Sequence, residues 1–184
     1  PIRMYLKEIG DVKLLSRKDE EVLARTIDLK YKYKSMHDDL EESSTELINS
    51  IDVMKNVFES IVSLKPILES IGKFYGASKS DSLTLNYLTS KESEISNIHG
   101  VYSEDLVRYV ADVNNISNDQ VTQKIKELSD LLGLIPADLT ELLADNFSKT
   151  NLKSVIKDQD FNDQLNMYKM IIDSHFNQIL SRSD

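Results

Sequence analysis

No cysteine occurs among the 184 residues, so disulfides, thiolate zinc sites and thiol nucleophiles are excluded together. Glycine (5) and proline (3) are scarce, too few breakers for the many turns of an all-β fold. The glycines stand apart, at 10, 72, 76, 100 and 133, which excludes a glycine-rich phosphate loop and disfavours nucleotide-dependent catalysis. No apolar run approaches the roughly 18 residues that a membrane-spanning helix requires, and no basic-then-apolar signal precedes the first helix. A soluble, cytoplasmic protein that does not engage a membrane is therefore expected. The first residue is Pro rather than Met, and the chain is expected to be a piece of a longer polypeptide. Positive charge is also short: 22 basic side chains face 31 acidic ones, a net of −9. Such a field repels nucleic acid from most of the surface, so any contact with it must be local.

What is present has helical periodicity. Pro1 suits a first helical position and Gly10 a left-handed stop, with Ile2, Tyr5, Leu6 and Ile9 sharing one face between them. After a connector from Asp11 to Leu15, Ser16 and Asp19 read as the start of a second helix, whose stripe continues through Val22, Leu23 and Ile27. From Lys30 the run KYKYKSMHDDLEESS turns from basic and aromatic to acidic and serine-rich, placing a boundary between a module of residues 1–32 and a larger one of residues 33–184. In the latter, Leu47, Ile51, Met54, Phe58 and Ile61 form the clearest amphipathic stripe. Pro66 ends or kinks that helix, and a short one follows, closing at Gly72 or Gly76. Residues 77–100 read as a loop with one short helix. Beyond it, Ser103 opens a helix carrying Leu106, Val110 and Val113, Ser117 and Gln120 form a capping box, and Pro136 starts another helix. One long helix carries Phe161 to Ile179. The expected fold is all-α: a short helix-turn-helix module joined to a mostly antiparallel helical bundle.

Catalytic chemistry finds little support. His37, His99 and His175 each lack a nucleophile and an orienting partner in sequence, and His175, beside the Ile172 to Phe176 stripe, reads as a partly exposed flank residue. DQDFND at 158–163 fails as a calcium loop, because Asp163 stands where glycine is needed and Lys169 where a bidentate glutamate is needed. HDDLEE at 37–42 reads as a solvated acidic segment rather than a metal site. No cofactor, metal or small-molecule substrate is expected, nor an enzyme. In KYKYK, Tyr31 and Tyr33 point roughly 160° apart on a helix, so they make no common stacking platform, and one of them is expected to be buried. The first helix differs. Arg3 and Lys7 stand one turn apart on its flank beside Leu6, a small cationic ledge with an apolar edge, suited to a phosphate next to an unstacked base. From spacing and charge alone, an ordinary solvated surface pair is the favoured reading.

PIRMYLKEIGDVKLLSRKDEEVLARTI, residues 1–27, closely resembles region 1.2 of the primary (housekeeping) sigma factors of bacterial RNA polymerase. That segment runs Pro-Val/Ile-Arg-x-Tyr through Glu and Gly to a Leu-Leu-Ser/Thr turn and an acidic helix. More loosely, LGLIPADLTELLADNFSKTNL, Leu132 to Leu152, resembles part of the family's non-conserved insert. Two departures accompany the likeness: Asp28, Leu29 and Lys30 replace the acidic residue and glycine that often follow the second helix, and the motifs of the promoter-recognition helices are absent from the 184 residues. The resemblance implies a transcription initiation factor fragment that binds DNA. Arg3, Leu6 and Lys7 would contact the discriminator, the single-stranded non-template segment of the promoter, while Tyr5 and Ile9 dock the helix. The acidic insert would meet the β′ subunit of core RNA polymerase. The contrasting expectation is an acidic all-α protein-interaction scaffold without DNA binding.

Overall fold

The computed structural model describes the backbone of residues 2–79, 81–85, 87, 103–147 and 150–181, and side chains from residue 19 onward except those of 21 and 83. The described residues are all-α, with no strand; a single antiparallel bridge joins Thr84 to Asn151. Nine α-helices occur among them: α1 (Ile2–Ser43), α2 (Ser50–Ser63), α3 (Lys65–Phe74), α4 (Glu104–Asn114), α5 (Asn118–Gly133), α6 (Ala137–Phe147), α7 (Leu152–Val155), α8 (Gln159–Met167) and α9 (Lys169–Ser181). A 3-10 turn covers Asp81–Leu83.

The helix-turn-helix expected at the start is replaced by one continuous helix. α1 passes through Gly10 and the Asp11 to Leu15 connector without a break. One glycine costs a helix interior only about 1 kcal/mol, and the connector holds no proline. Carrying on as a helix pairs the backbone groups of this stretch locally. At 1.5 Å per residue α1 is about 63 Å long, and it crosses residue 32 as an unbroken rod.

Several boundaries follow from local chemistry. Asn49 caps α2, its side chain accepting from the Asp52 N–H while the Asp52 carboxylate accepts from the Asn49 N–H, both at 3.0 Å. α2 stops at Ser63 and α3 begins at Lys65 with Pro66 in its first turn, where proline costs no helical hydrogen bond. The expected Ser117–Gln120 box is present, with reciprocal bonds of 3.0 and 3.2 Å. Gly133 does not end α5 but belongs to it, with the cap at Leu134. The expected last long helix is two, α8 and α9, separated at Tyr168.

α2 is the centre of the core. Val53, Met54, Val57, Phe58 and Ile61 are shut from solvent, and the helix packs against α1, α5, α7 and α9. Phe58 meets Phe161 edge-on at 5.3 Å, and Phe161 meets Phe147 at 5.8 Å, geometry that ring quadrupoles favour. Leu47, expected on the same stripe, precedes the cap and is exposed, as is Val113 on α4. Within 77–100, Leu85 and Tyr87 are buried; His99, with residues 80, 86 and 88–100 of the expected loop, lies outside the described residues.

Candidate functional site

The C-terminal half of α1 is held to the bundle by a stripe at alternating three and four residues. Thr26 and Met36 are buried, and Leu29, Tyr33 and Leu40 pack against the core, the spacing of a helix seam. Tyr33 stacks on Phe176 of α9 at 4.7 Å, and burial, with Asp173 nearby, pushes its hydroxyl above the usual tyrosine range. Tyr31, by contrast, is 76% exposed. One tyrosine of KYKYK is thus packed and the other solvated, as the 160° separation requires.

The polar anchor of this seam is Arg25. Its Nη1 donates to Asp130 Oδ1 at 2.6 Å and its Nη2 to the Ser129 carbonyl at 2.8 Å. The two groups are mostly buried, with 20% and 12% of their side chains exposed. Burial raises the Asp130 carboxyl above its ordinary value, opposed mainly by Arg25 and then by Lys126. The guanidinium lies so close to α5 that a Cβ on Gly133 would stand 2.6 Å from Nη2 and 2.7 Å from Leu29 Cδ2. Glycine is required here for close approach and not for a turn. On the other side of Gly133 its carbonyl meets His175 Nε2 at 2.9 Å, so His175 is a half-buried flank residue tied to the α5 terminus. Lys32–Glu127 at 3.5 Å and Lys126–Asp28 at 4.0 Å continue the charge matching at the surface, where each contributes little. None of the Arg25, Asp130 and Gly133 contacts was legible in sequence. The only trace was the glycine, which a helix interior otherwise disfavours.

Val22, Leu23 and Ile27, expected to continue the packed stripe, are 63%, 43% and 51% exposed. At 100° per residue, Ile27 and Tyr31 lie about 120° or more from each of Leu29, Tyr33 and Met36, and Leu23 about 80–140° from them, so this face points away from the bundle. Val22 is on the seam's side but stands one turn before Thr26, the first buried residue of the stripe. Arg3, Leu6 and Lys7 fall on the N-terminal part of α1, together with Tyr5 and Ile9; their side chains lie outside the described ones. The helical backbone keeps Arg3 and Lys7 one turn apart.

Other sequence candidates resolve into structural roles. Asp158 is the N-cap of α8, accepting from the Asp160 N–H at 2.8 Å, and helix follows where a calcium loop would have to curl. The donor atoms of His37, Asp38 and Glu41 lie within 4.8 Å of one another. All three project from one stretch of one exposed helix, with a His37–Glu41 separation of 3.6 Å, which a solvated i, i+4 pair explains. Among the described residues no helix is long and apolar enough to cross a membrane.

Neither the curated proteins nor the solved structures compared with the chain include a match. Residues 1–28, comprising the N-terminal part of α1 through Arg25 and Asp28, match the family model described as Sigma-70 factor, region 1.2, which relates this segment to the sigma-70 family and the chain to sigma-factor-like transcription initiation and association with RNA polymerase.

Proposed function

We propose that this chain is part of a primary sigma factor and acts without catalysis in transcription initiation. In this reading Arg3, Leu6 and Lys7 contact the single-stranded discriminator, and the acidic helical insert meets the β′ subunit of the polymerase. The observation that carries it is the match of residues 1–28 to the region 1.2 model. The placement of Arg3 and Lys7 one helical turn apart is consistent with it, since two cations on one flank can bracket a phosphate while Leu6 covers an unstacked base. A net charge of −9 suits a basic protein surface better than a polyanion. Two cations bind a single strand weakly and lose that binding in salt, so the contact needs the polymerase to deliver the strand.

The test uses the intact factor in polymerase holoenzyme on promoters that differ only in the discriminator. Arg3→Ala combined with Leu6→Ala shortens open-complex lifetime, and by unequal factors on different discriminators. Unchanged lifetimes on every promoter refute the DNA contact. If polymerase binding persists in that case, the second reading stands, an acidic interaction scaffold, which the exposed Leu23, Ile27 and Tyr31 face of α1 favours.

A further inference from the structure

α3 ends in a way that builds a cavity. Gly76 has φ +86°, and the Ala77 N–H donates to the Gly72 carbonyl at 2.8 Å while the Gly76 N–H donates to the Lys73 carbonyl at 3.1 Å. This is the Schellman pattern, which needs a residue free to adopt a left-handed backbone. The chain then returns along α3, so closely that a Cβ on Gly72 would stand 2.5 Å from Ser82 Cβ. Between α3, the returning segment and the C-terminal end of α4 lies a cavity of about 430 Å³ with Pro66, Ala77 and Val113 as apolar walls, a size typical of ligand pockets. Beside it Phe74 packs against Tyr75 at 5.2 Å and Tyr109 at 5.6 Å, and Phe74 and Tyr75 are exposed.

The charge here runs against the rest of the molecule. Glu69 lies between Lys65 at 3.7 Å and Lys79 at 3.9 Å, and Lys73 lines the same cavity without an ion pair among the described residues. Two lysines, Lys73 and Lys79, and one carboxylate, Glu69, line the cavity in a chain of net −9. Glu69 Oε1 is closed to solvent and the carboxylate is already shared between Lys65 and Lys79, which leaves the exposed Lys73 as the cation that an occupant meets. An occupant must therefore bring a negative charge and an apolar group. A peptide with an acidic and an apolar side chain brings both. Single-stranded nucleic acid suits the site less, because its unbroken row of phosphates extends into the acidic field on either side.

We propose that this cavity docks a short acidic and apolar peptide segment of a partner protein. An apolar side chain fills the space against Pro66, Ala77 and Val113, and a carboxylate pairs with Lys73. The site is separate from residues 1–28 and stands or falls without the promoter contact. The probe is a fluorescein-labelled peptide of alternating leucine and aspartate, titrated into the purified chain by fluorescence anisotropy, with amide chemical shifts locating it. Binding is expected to move the amides of Lys73, Ala77 and Val113. Lys73→Glu and Val113→Asp, both at solvent-accessible positions, each weaken it by about tenfold, or 1.4 kcal/mol, with unchanged circular dichroism. Absence of binding, equal affinity for a leucine–lysine peptide, indifference to Lys73→Glu, or tighter binding of oligothymidylate at the same amides would overturn the proposal.

Discussion

Replacing Arg25 by methionine isolates the interaction that holds α1 on the bundle. Methionine keeps a long unbranched side chain but removes both guanidinium bonds, to Asp130 at 2.6 Å and to the Ser129 carbonyl at 2.8 Å. Breaking a buried ion pair by removing one partner costs about 3–5 kcal/mol, since a buried charge is left alone. With 12% of the Asp130 side chain still exposed and a proton available to neutralise it, the lower end applies, about 3 kcal/mol. Asp130→Ala is milder, about 1–2 kcal/mol, because the longer arginine can turn its head into solvent and keep its stem packed. Combining Arg25→Met with Asp130→Leu removes both charges, and the pair is more stable than Arg25→Met alone.

The pH dependence has a definite sign. Burial raises the folded-state pKa of Asp130 above its unfolded value, so the folded state binds that proton more tightly and this group's contribution improves as pH falls through the raised pKa. Removing Arg25 takes away the largest opposing influence and raises it further. The stability gap between wild type and Arg25→Met therefore narrows on going from neutral to mildly acidic pH. Urea denaturation of the chain followed by circular dichroism, repeated over that range, reads both effects. A cost below about 1 kcal/mol for Arg25→Met, or a gap that widens in acid, refutes the reasoning.

Gly133→Ala places a methyl 2.6 Å from Arg25 Nη2 and 2.7 Å from Leu29 Cδ2; it should destabilise by about 1–3 kcal/mol despite alanine's better helix propensity. Its effect should be smaller in the Arg25→Met background, a non-additivity that a thermal-denaturation cycle measures. Asp173 responds to acid in the opposite sense to Asp130. The Ser50 hydroxyl first, and Lys169 at 3.0 Å, hold its carboxyl below the ordinary value, so its contribution is present above the unfolded pKa and lost as pH falls through the depressed one. Asp173→Asn should flatten the acid limb of the stability profile, and carboxyl NMR titration of the wild type should place Asp173 below a free aspartate.

Where a boundary rests on contacts between near neighbours in the chain, the sequence was sufficient to read it. The Ser117–Gln120 box, Pro66 at the start of α3, Pro136 before α6 and the amphipathic run from Ile51 to Ile61 all appear where spacing and residue chemistry put them. The rejection of a calcium loop at 158–163 was legible for the same reason, since the residues that would close the loop are near in sequence. Two glycines show the limit. The sequence offered Gly72 or Gly76 as the end of α3 and Gly133 as the end of α5, yet only Gly76 has a left-handed backbone. Gly72 and Gly133 are glycines because another segment presses against them, and no local pattern records that pressure.

The all-α class, the acidic field, the lack of cysteine and the scattered glycines, and the kinship of residues 1–28 with sigma-70 region 1.2 follow from the amino-acid sequence by itself, because composition, periodicity and motif are local properties. Tertiary structure alone decided which of two apolar faces of α1 meets the bundle, that Arg25 pairs with Asp130 across 105 positions, and that α1 runs through Gly10 without a turn. Both faces of α1 satisfy helical periodicity equally well. Only the seam of Leu29, Tyr33 and Met36 finds a complementary surface on α2, α5 and α9, and packing, being a property of two surfaces at once, is not written in either one.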